Sequence, residues 1–246
     1  MLVPVLLYLG FGLLLYLNQG DFIYHPNNQN FHSCKNFNEA EKLNLNGTRV
    51  YFKKNSDRIV VFYHGNAGSA CDRSFIKNIF EKANYSYLIV GYTGYSGDSK
   101  KSGKEVIFKD VENVRDSLKN ENFSETVLMS ESIGGAFASY HATISEFDKL
   151  LLISPFNKMT ELAGEKFPVF PVSLILKDKH NNEDLLADKK NITIIHGEKD
   201  IVIPIYHSKK LFSAIKSEEK EFISIENVGH NNNNNNNNNN IFSEGS

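Results

Sequence analysis

Two cysteines, Cys34 and Cys71, occur in 246 residues, with no C-x-x-C spacing. That scarcity argues against a disulfide framework and against a thiolate metal site, and two buried or free thiols are expected. No Lys/Arg block dominates any segment and the formal net charge is only -2, so nucleic acid is not expected as a partner. Neither G-x-x-x-x-G-K-S/T nor a strand-following G-x-G-x-x-G is present, so the chain lacks a nucleotide signature, and no cofactor or metal is expected. No basic residue precedes the first charged side chain, Asp21, which leaves the positive-inside rule almost nothing to count.

What the chain does hold is apolar residue, 41% against 23% charged, enough for one sizeable core. Its amino end, "MLVPVLLYLGFGLLLYL", is apolar from Met1 to Leu17. As a helix rising roughly 1.5 Å per residue it spans about 26 Å, slightly short of a hydrocarbon core of about 30 Å. With no Lys or Arg before it and no A-x-A site after it, an uncleaved membrane anchor over residues 1–20 is preferred to a cleaved signal peptide. The side of the membrane stays open.

Residues 21–230 read as one domain. "KLNLNGTRVYFKK" alternates around Asn46-Gly47, a hairpin signal. Apolar, β-branched runs follow at 58–64, 86–92, 126–130, 149–154, 191–196 and 221–228, with helical patterns at 72–82, 104–119, 134–146 and 205–217. Near-continuous apolar strands alternating with helices predict an α/β fold, a doubly wound and mostly parallel sheet. Between 156 and 190 no strand is convincing and "FPVFPVSLIL" carries two prolines, so a short lid insertion over the carboxyl edge of the sheet is expected. The sequons "NGT", "NYS", "NFS" and "NIT" are weak glycosylation signals in an asparagine-rich chain, and "NIT" opens an expected buried strand. Ten consecutive asparagines, 231–240, then "IFSEGS" form a low-complexity tail over 231–246.

The candidate chemistry starts at "VLMSESIGG". Ser132 lies between an expected strand and an expected helix, with Ser130 and Gly134 as the small flanking residues that a nucleophile elbow requires. A serine hydroxyl needs a base, and the base needs an acid to fix its tautomer. His230 follows the last strand in "ENVGH", and Asp200 follows the preceding one in "IIHGEKDIVIP"; Glu198 and Asp178 fit the strand end less well. The alternatives are a helix cap for Asp200 and a plain loop histidine at His230. The order Ser132, Asp200, His230 is the one this arrangement uses. In "VFYHGNAGSA", small residues follow a strand, so the N–H of Asn66 could join that of Ile133 in holding an oxyanion. A glycine-rich turn opening a helix is the plainer reading of that loop.

These pieces, together with "FIYHP", "GYTGYSGDS", "ISPF" and "LKDKH", run in order from about residue 22 to 230. They resemble the α/β-hydrolase superfamily, in its membrane-anchored, small-lid branch. The resemblance implies Ser132 as nucleophile, Asp200 as acid, His230 as base, Asn66 and Ile133 as oxyanion donors, and His64, Gly65 and Tyr95 as substrate-binding residues. Three departures stand out. Ser130 replaces the elbow's first glycine, a change that is tolerable if its hydroxymethyl points away from the following helix. Thr93 stands where relatives often carry arginine. After His230 the asparagine run replaces a helix that relatives pack on the sheet, which points to a repeat expansion and a truncated end.

The expected function is a membrane-anchored serine hydrolase acting on an acyl ester or thioester, of a lipid or an acylated protein. A catalytically impaired, membrane-tethered scaffold and a serine peptidase are the alternatives.

Overall fold

In the computed structural model, which describes residues 2–27 and 29–230, the apolar amino end is one helix, α1 (Leu2–Ile23). It is long and apolar enough to cross a membrane. Most of its large side chains are exposed, whereas Leu15 is buried. The asparagine tail, with the expansion and truncation expected there, lies outside the described residues.

After α1 come β1 (His25–Pro26), β2 (Lys42–Leu45), β3 (Thr48–Lys53), β4 (Arg58–Tyr63), β5 (Ala67–Gly68), α2 (Ile76–Lys82), β6 (Ser86–Gly91) and α3 (Lys104–Leu118). Then follow β7 (Glu125–Glu131), α4 (Gly134–Ile144), β8 (Lys149–Ile153), α5 (Met159–Lys166), α6 (Val172–Ile175), α7 (Asn182–Leu186), β9 (Ile192–Gly197), α8 (Ile205–Ala214) and β10 (Lys220–Ile225). Eight strands form one sheet in the order β10-β9-β8-β7-β4-β6-β3-β2. The β2–β3 and β3–β6 pairs are antiparallel and the others parallel. Asn46 and Gly47 make the β2–β3 turn, both at positive φ, as a two-residue hairpin of this type needs. Crossover helices bury both faces of the central strands, which is why β4 and β6 read as unbroken apolar runs.

One face packs Ile107, Val111 and Val114 of α3, Ala136 and Phe137 of α4, and Leu211 of α8. The other packs α2 and the lead-in residues Phe31 and Phe37, stacked on Tyr51. On that second face Leu151, Ile153 and Ile223 of β8 and β10 are only partly covered by the described residues. The segment between β8 and β9 holds three short helices and no strand among them.

The cysteine expectation is overturned. Cys34 and Cys71 form a disulfide, with Cα atoms 5.9 Å apart and a sequence separation of 37. Sequence spacing could not reveal it, because two loops meet there only once the lead-in wraps onto the aromatic face. The sequon expectation also shifts: Asn191 sits exposed just before β9 rather than inside it, as do Asn46, Asn84 and Asn122 at their own turns and loops.

Three histidines are deeply buried, and at His180 burial outweighs the pull of the nearby Asp178 carboxylate. Burial pushes His64 and His141 down to about 3, and His180 down to about 4. An unfolded chain would take up protons at these sites near pH 6.5 while the native chain stays neutral. Stability is therefore full above about pH 6.5 and declines as pH falls towards 4. By pH 5.5 the loss should be roughly 1 kcal/mol per histidine, read as falling thermal midpoints between pH 7.5 and 5.5. A flat profile would mean that these rings are hydrated in the native state.

Candidate active site

The turn from β7 into α4 places Ser132 at φ +53°, a left-handed conformation that a non-glycine residue adopts only when its surroundings hold it. Its N–H donates to Ile153 O on the neighbouring strand at 2.8 Å. Gly134 makes the turn possible: a Cβ there would lie 2.7 Å from His64 O and closer still to Tyr63 O. Ser130 is fully buried and its Oγ has no partner among the described residues. It faces α4 rather than pointing away, and a Cβ on Gly135 would lie 3.8 Å from that oxygen, an ordinary van der Waals contact.

His230 Nε2 lies 3.1 Å from Ser132 Oγ, and His230 Nδ1 lies 2.6 Å from Asp200 Oδ2. The loop carrying His230 reaches the turn after β9 because Gly197 offers no Cβ against Val228 O, and Lys199 N–H donates to that same carbonyl at 2.9 Å. Asp200 Oδ1 accepts the N–H groups of Val202 and Ile203 at 2.9 and 2.8 Å. Burial pushes the Asp200 carboxyl up, but contacts from His196 and His230 and the Ile203 amide outweigh it, holding the group well below the usual carboxylate range. Asp200 is thus a fixed anion, with Oδ1 committed to backbone and Oδ2 facing His230 Nδ1 at 2.6 Å and His196 Nε2 at 3.3 Å. Glu198 is exposed, and Asp178 accepts from Tyr24 OH and Lys104 N–H instead, so neither reaches the imidazole.

The loop after β4 is clamped peptide by peptide. Gly65 N–H donates to Glu131 Oε1 at 2.9 Å, and Tyr92 OH donates to His64 O at 2.7 Å. His64 Nδ1 lies 2.7 Å from Gly65 O, which pins the Gly65–Asn66 peptide plane and hence the direction of the Asn66 N–H. Asn66 O accepts from Tyr95 OH at 2.8 Å and His25 N–H at 3.1 Å. The N–H groups of Asn66 and Ile133 have no acceptor among the described residues.

An apolar cavity of roughly 220 Å³ has Ser132, Ile133 and Asn66 in its wall, with Phe156, Met159, Leu162 and Phe167 beyond them. His64, Gly65 and Tyr95, expected to touch substrate, do not line it. They are buried behind the loop and hold it in shape. Sequence reasoning missed Glu131, whose Oε1 also meets Arg73 Nε at 2.6 Å, and Tyr92. The only signal for Glu131 was its place beside Ser132. Thr93 is likewise structural: its N–H and Oγ1 meet the buried Asp110 at 2.7 and 2.9 Å.

A parallel sheet with antiparallel strands at one edge, crossover helices and a serine on a strained strand-to-helix turn define an α/β hydrolase fold. No family model matches the chain. It is 25% identical over 176 residues to an uncharacterized protein of Mycobacterium tuberculosis, covering 70% of this chain and 62% of that one. This chain therefore spans about three-fifths of that relative's length. A putative alpha/beta hydrolase of Acanthamoeba polyphaga mimivirus is 24% identical over 220 residues, 78% of this chain and 80% of its own. An uncharacterized membrane protein of Saccharomyces cerevisiae is 26% identical over 190 residues, 72% and 66% respectively. Among solved structures, a monoacylglycerol lipase of Paleococcus ferrophilus superposes with TM-score 0.57 at 14% identity, over 74% of this chain and 90% of that one. One of two metagenome-derived lipolytic enzymes does so with TM-score 0.60 at 22% identity, over 76% and 91%. The chain thus shares the α/β-hydrolase fold with these solved structures and is similar in sequence to these relatives.

Proposed function

We propose that the chain is a membrane-anchored serine hydrolase that cleaves acyl esters or thioesters through an acyl-enzyme on Ser132. The observation that carries this reading is the line Ser132 Oγ, His230, Asp200, at 3.1 and 2.6 Å, opening on an apolar cavity. His230 Nε2 takes the serine proton as Oγ attacks the acyl carbon, and Asp200 keeps the imidazole's other proton on Nδ1. The N–H groups of Asn66 and Ile133 hold the oxyanion, and His230 returns the proton to the departing alcohol or thiol. Water, activated by the same imidazole, then releases the acid.

Residues 156–190 act as the lid over this site, and α1 as the anchor. At 22 residues it rises about 33 Å, enough for a hydrocarbon core, and the yeast relative is named a membrane protein. The Cys34–Cys71 bridge favours an oxidising compartment for residues 21–230. Fluorophosphonate labelling of the detergent-solubilised protein tests the hydrolase reading. Label should sit on Ser132, vanish in Ser132→Ala and persist in Ser130→Ala. A folded protein that takes no label would point to the scaffold alternative.

A further inference from the structure

The cavity beside Ser132 is not walled by the hydrolase domain alone. Leu15, Tyr16, Gln19, Phe22 and Ile23 of α1 line it opposite the lid residues. Their spacing puts them on one stripe of the helix. The same helix face is fastened to the lid. Gln19 Oε1 accepts from Lys177 N–H at 2.6 Å, and its Nε2 donates to Ile175 O at 3.2 Å. Nearer the amino end, Tyr8 OH donates to Val169 O at 2.9 Å and its ring stacks on Phe170 at 4.8 Å. The carboxyl end of α1 runs into the oxyanion loop, where Asn66 Nδ2 donates to Ile23 O at 3.3 Å and His25 pairs with Ala67.

We infer that α1 is a structural wall of the acyl site, and that Leu15 and Phe22 set acyl-chain selectivity for an ester whose chain reaches the serine from the bilayer along the seam between α1 and the lid. This rests on the hydrolase reading above and adds to it a specificity role for the anchor. Three observations support it. Leu15 is buried although the helix around it is exposed, so the cavity side of α1 is built to pack. Val169 and Leu174 on the lid beside α1 are 70% and 79% exposed, apolar side chains placed where a membrane-spanning α1 would bring them into lipid. Gln19 satisfies the Lys177 N–H and Ile175 O at the seam, so the surface left facing a chain is mostly apolar.

The test uses the full chain in detergent micelles. Hydrolysis of p-nitrophenyl palmitate and butyrate is compared for wild type, Leu15→Trp, Phe22→Ala and, as a control on the outward face of α1, Leu13→Trp. Filling the seam at Leu15 removes room for two or more methylenes and should lower the palmitate-to-butyrate ratio of kcat/KM at least tenfold. Phe22→Ala should move the ratio the other way, and Leu13→Trp should leave it within twofold. Fluorophosphonate labelling of Ser132 in each variant shows that the site is assembled. A Leu15→Trp ratio within twofold of wild type, or an equal fall in Leu13→Trp, overturns the inference.

A second readout needs no turnover. The chain has no tryptophan, so each Trp variant carries a single indole. Brominated palmitate should quench it saturably, near one equivalent, in Leu15→Trp, and only in proportion to lipid loading in Leu13→Trp. If no ester is turned over but quenching saturates, the hydrolase reading fails and the acyl site stands. If esters are turned over and quenching is the same in both variants, the wall role fails and the hydrolase reading stands.

Discussion

Asp200→Asn should lower ester turnover by about 10⁴-fold, roughly 5 kcal/mol of transition-state stabilisation, with little change in KM. The direction follows from the hydrogen bonds around the carboxylate. Oδ1 accepts two backbone N–H groups, from Val202 and Ile203. An asparagine must keep its carbonyl oxygen there, because an NH₂ facing two donors would leave three groups unsatisfied. Its NH₂ then takes the place of Oδ2, 2.6 Å from His230 Nδ1. Nδ1 becomes an acceptor, the ring proton moves to Nε2, and that N–H faces Ser132 Oγ across 3.1 Å. The base is present and correctly placed but already protonated at the reacting nitrogen. Pre-steady-state release of p-nitrophenol should slow with turnover, and Glu198→Gln, at an exposed residue clear of the imidazole, should stay within twofold of wild type. A loss smaller than tenfold in Asp200→Asn, with Ser132→Ala inactive, would remove Asp200 from the orienting role.

Particular stretches explain what the sequence made legible. Residues 58–64 and 86–92 read as strands because burial on both faces leaves an unbroken apolar run, and β4 and β6 end within a residue of those limits. The helix expected over 104–119 is α3 (Lys104–Leu118), whose apolar residues recur at helical spacing. The region expected to be helical over 72–82 divides into a short 3-10 turn, Ala70–Arg73, and α2, because Ser69 and Asp72 cap the turn through side chains. The sequence could group Ser132, Asp200 and His230 because each lies within five residues of the end of a parallel strand, so chain order maps onto position along the carboxyl edge. The loop clamps were not legible in it. Glu131, Tyr92 and Arg73 act through tertiary contacts between elements that no local period aligns, and His64, Gly65 and Tyr95 hold the loop after β4 from behind instead of facing the cavity. The disulfide belongs with these: one cysteine sits in a polar lead-in, the other in a 3-10 turn, and aromatic packing of Phe31 and Phe37 on Tyr51 draws them together.

That bridge leads to the second large effect. Closing the chain between residues 34 and 71 removes loop entropy from the unfolded state, worth about 4 kcal/mol for a loop of this length. Cys34→Ser, Cys71→Ser or exposure to dithiothreitol should therefore lower the thermal midpoint by roughly 8–16 °C in a domain of this size. The same loss has a cellular consequence, since the bond persists only where thiols are not continuously reduced. Alkylation of intact cells' extracts with a maleimide-polyethylene glycol reagent should add no mass under denaturing conditions without reductant, and two equivalents after reduction. With α1 in the membrane, that pattern puts residues 21–230 on the lumenal or extracellular side, and protease should reach them only from that side. Two modified cysteines before reduction would place the domain in a reducing compartment. The lead-in would then be held by its aromatic stacking alone, and the midpoint of the purified protein should not respond to dithiothreitol.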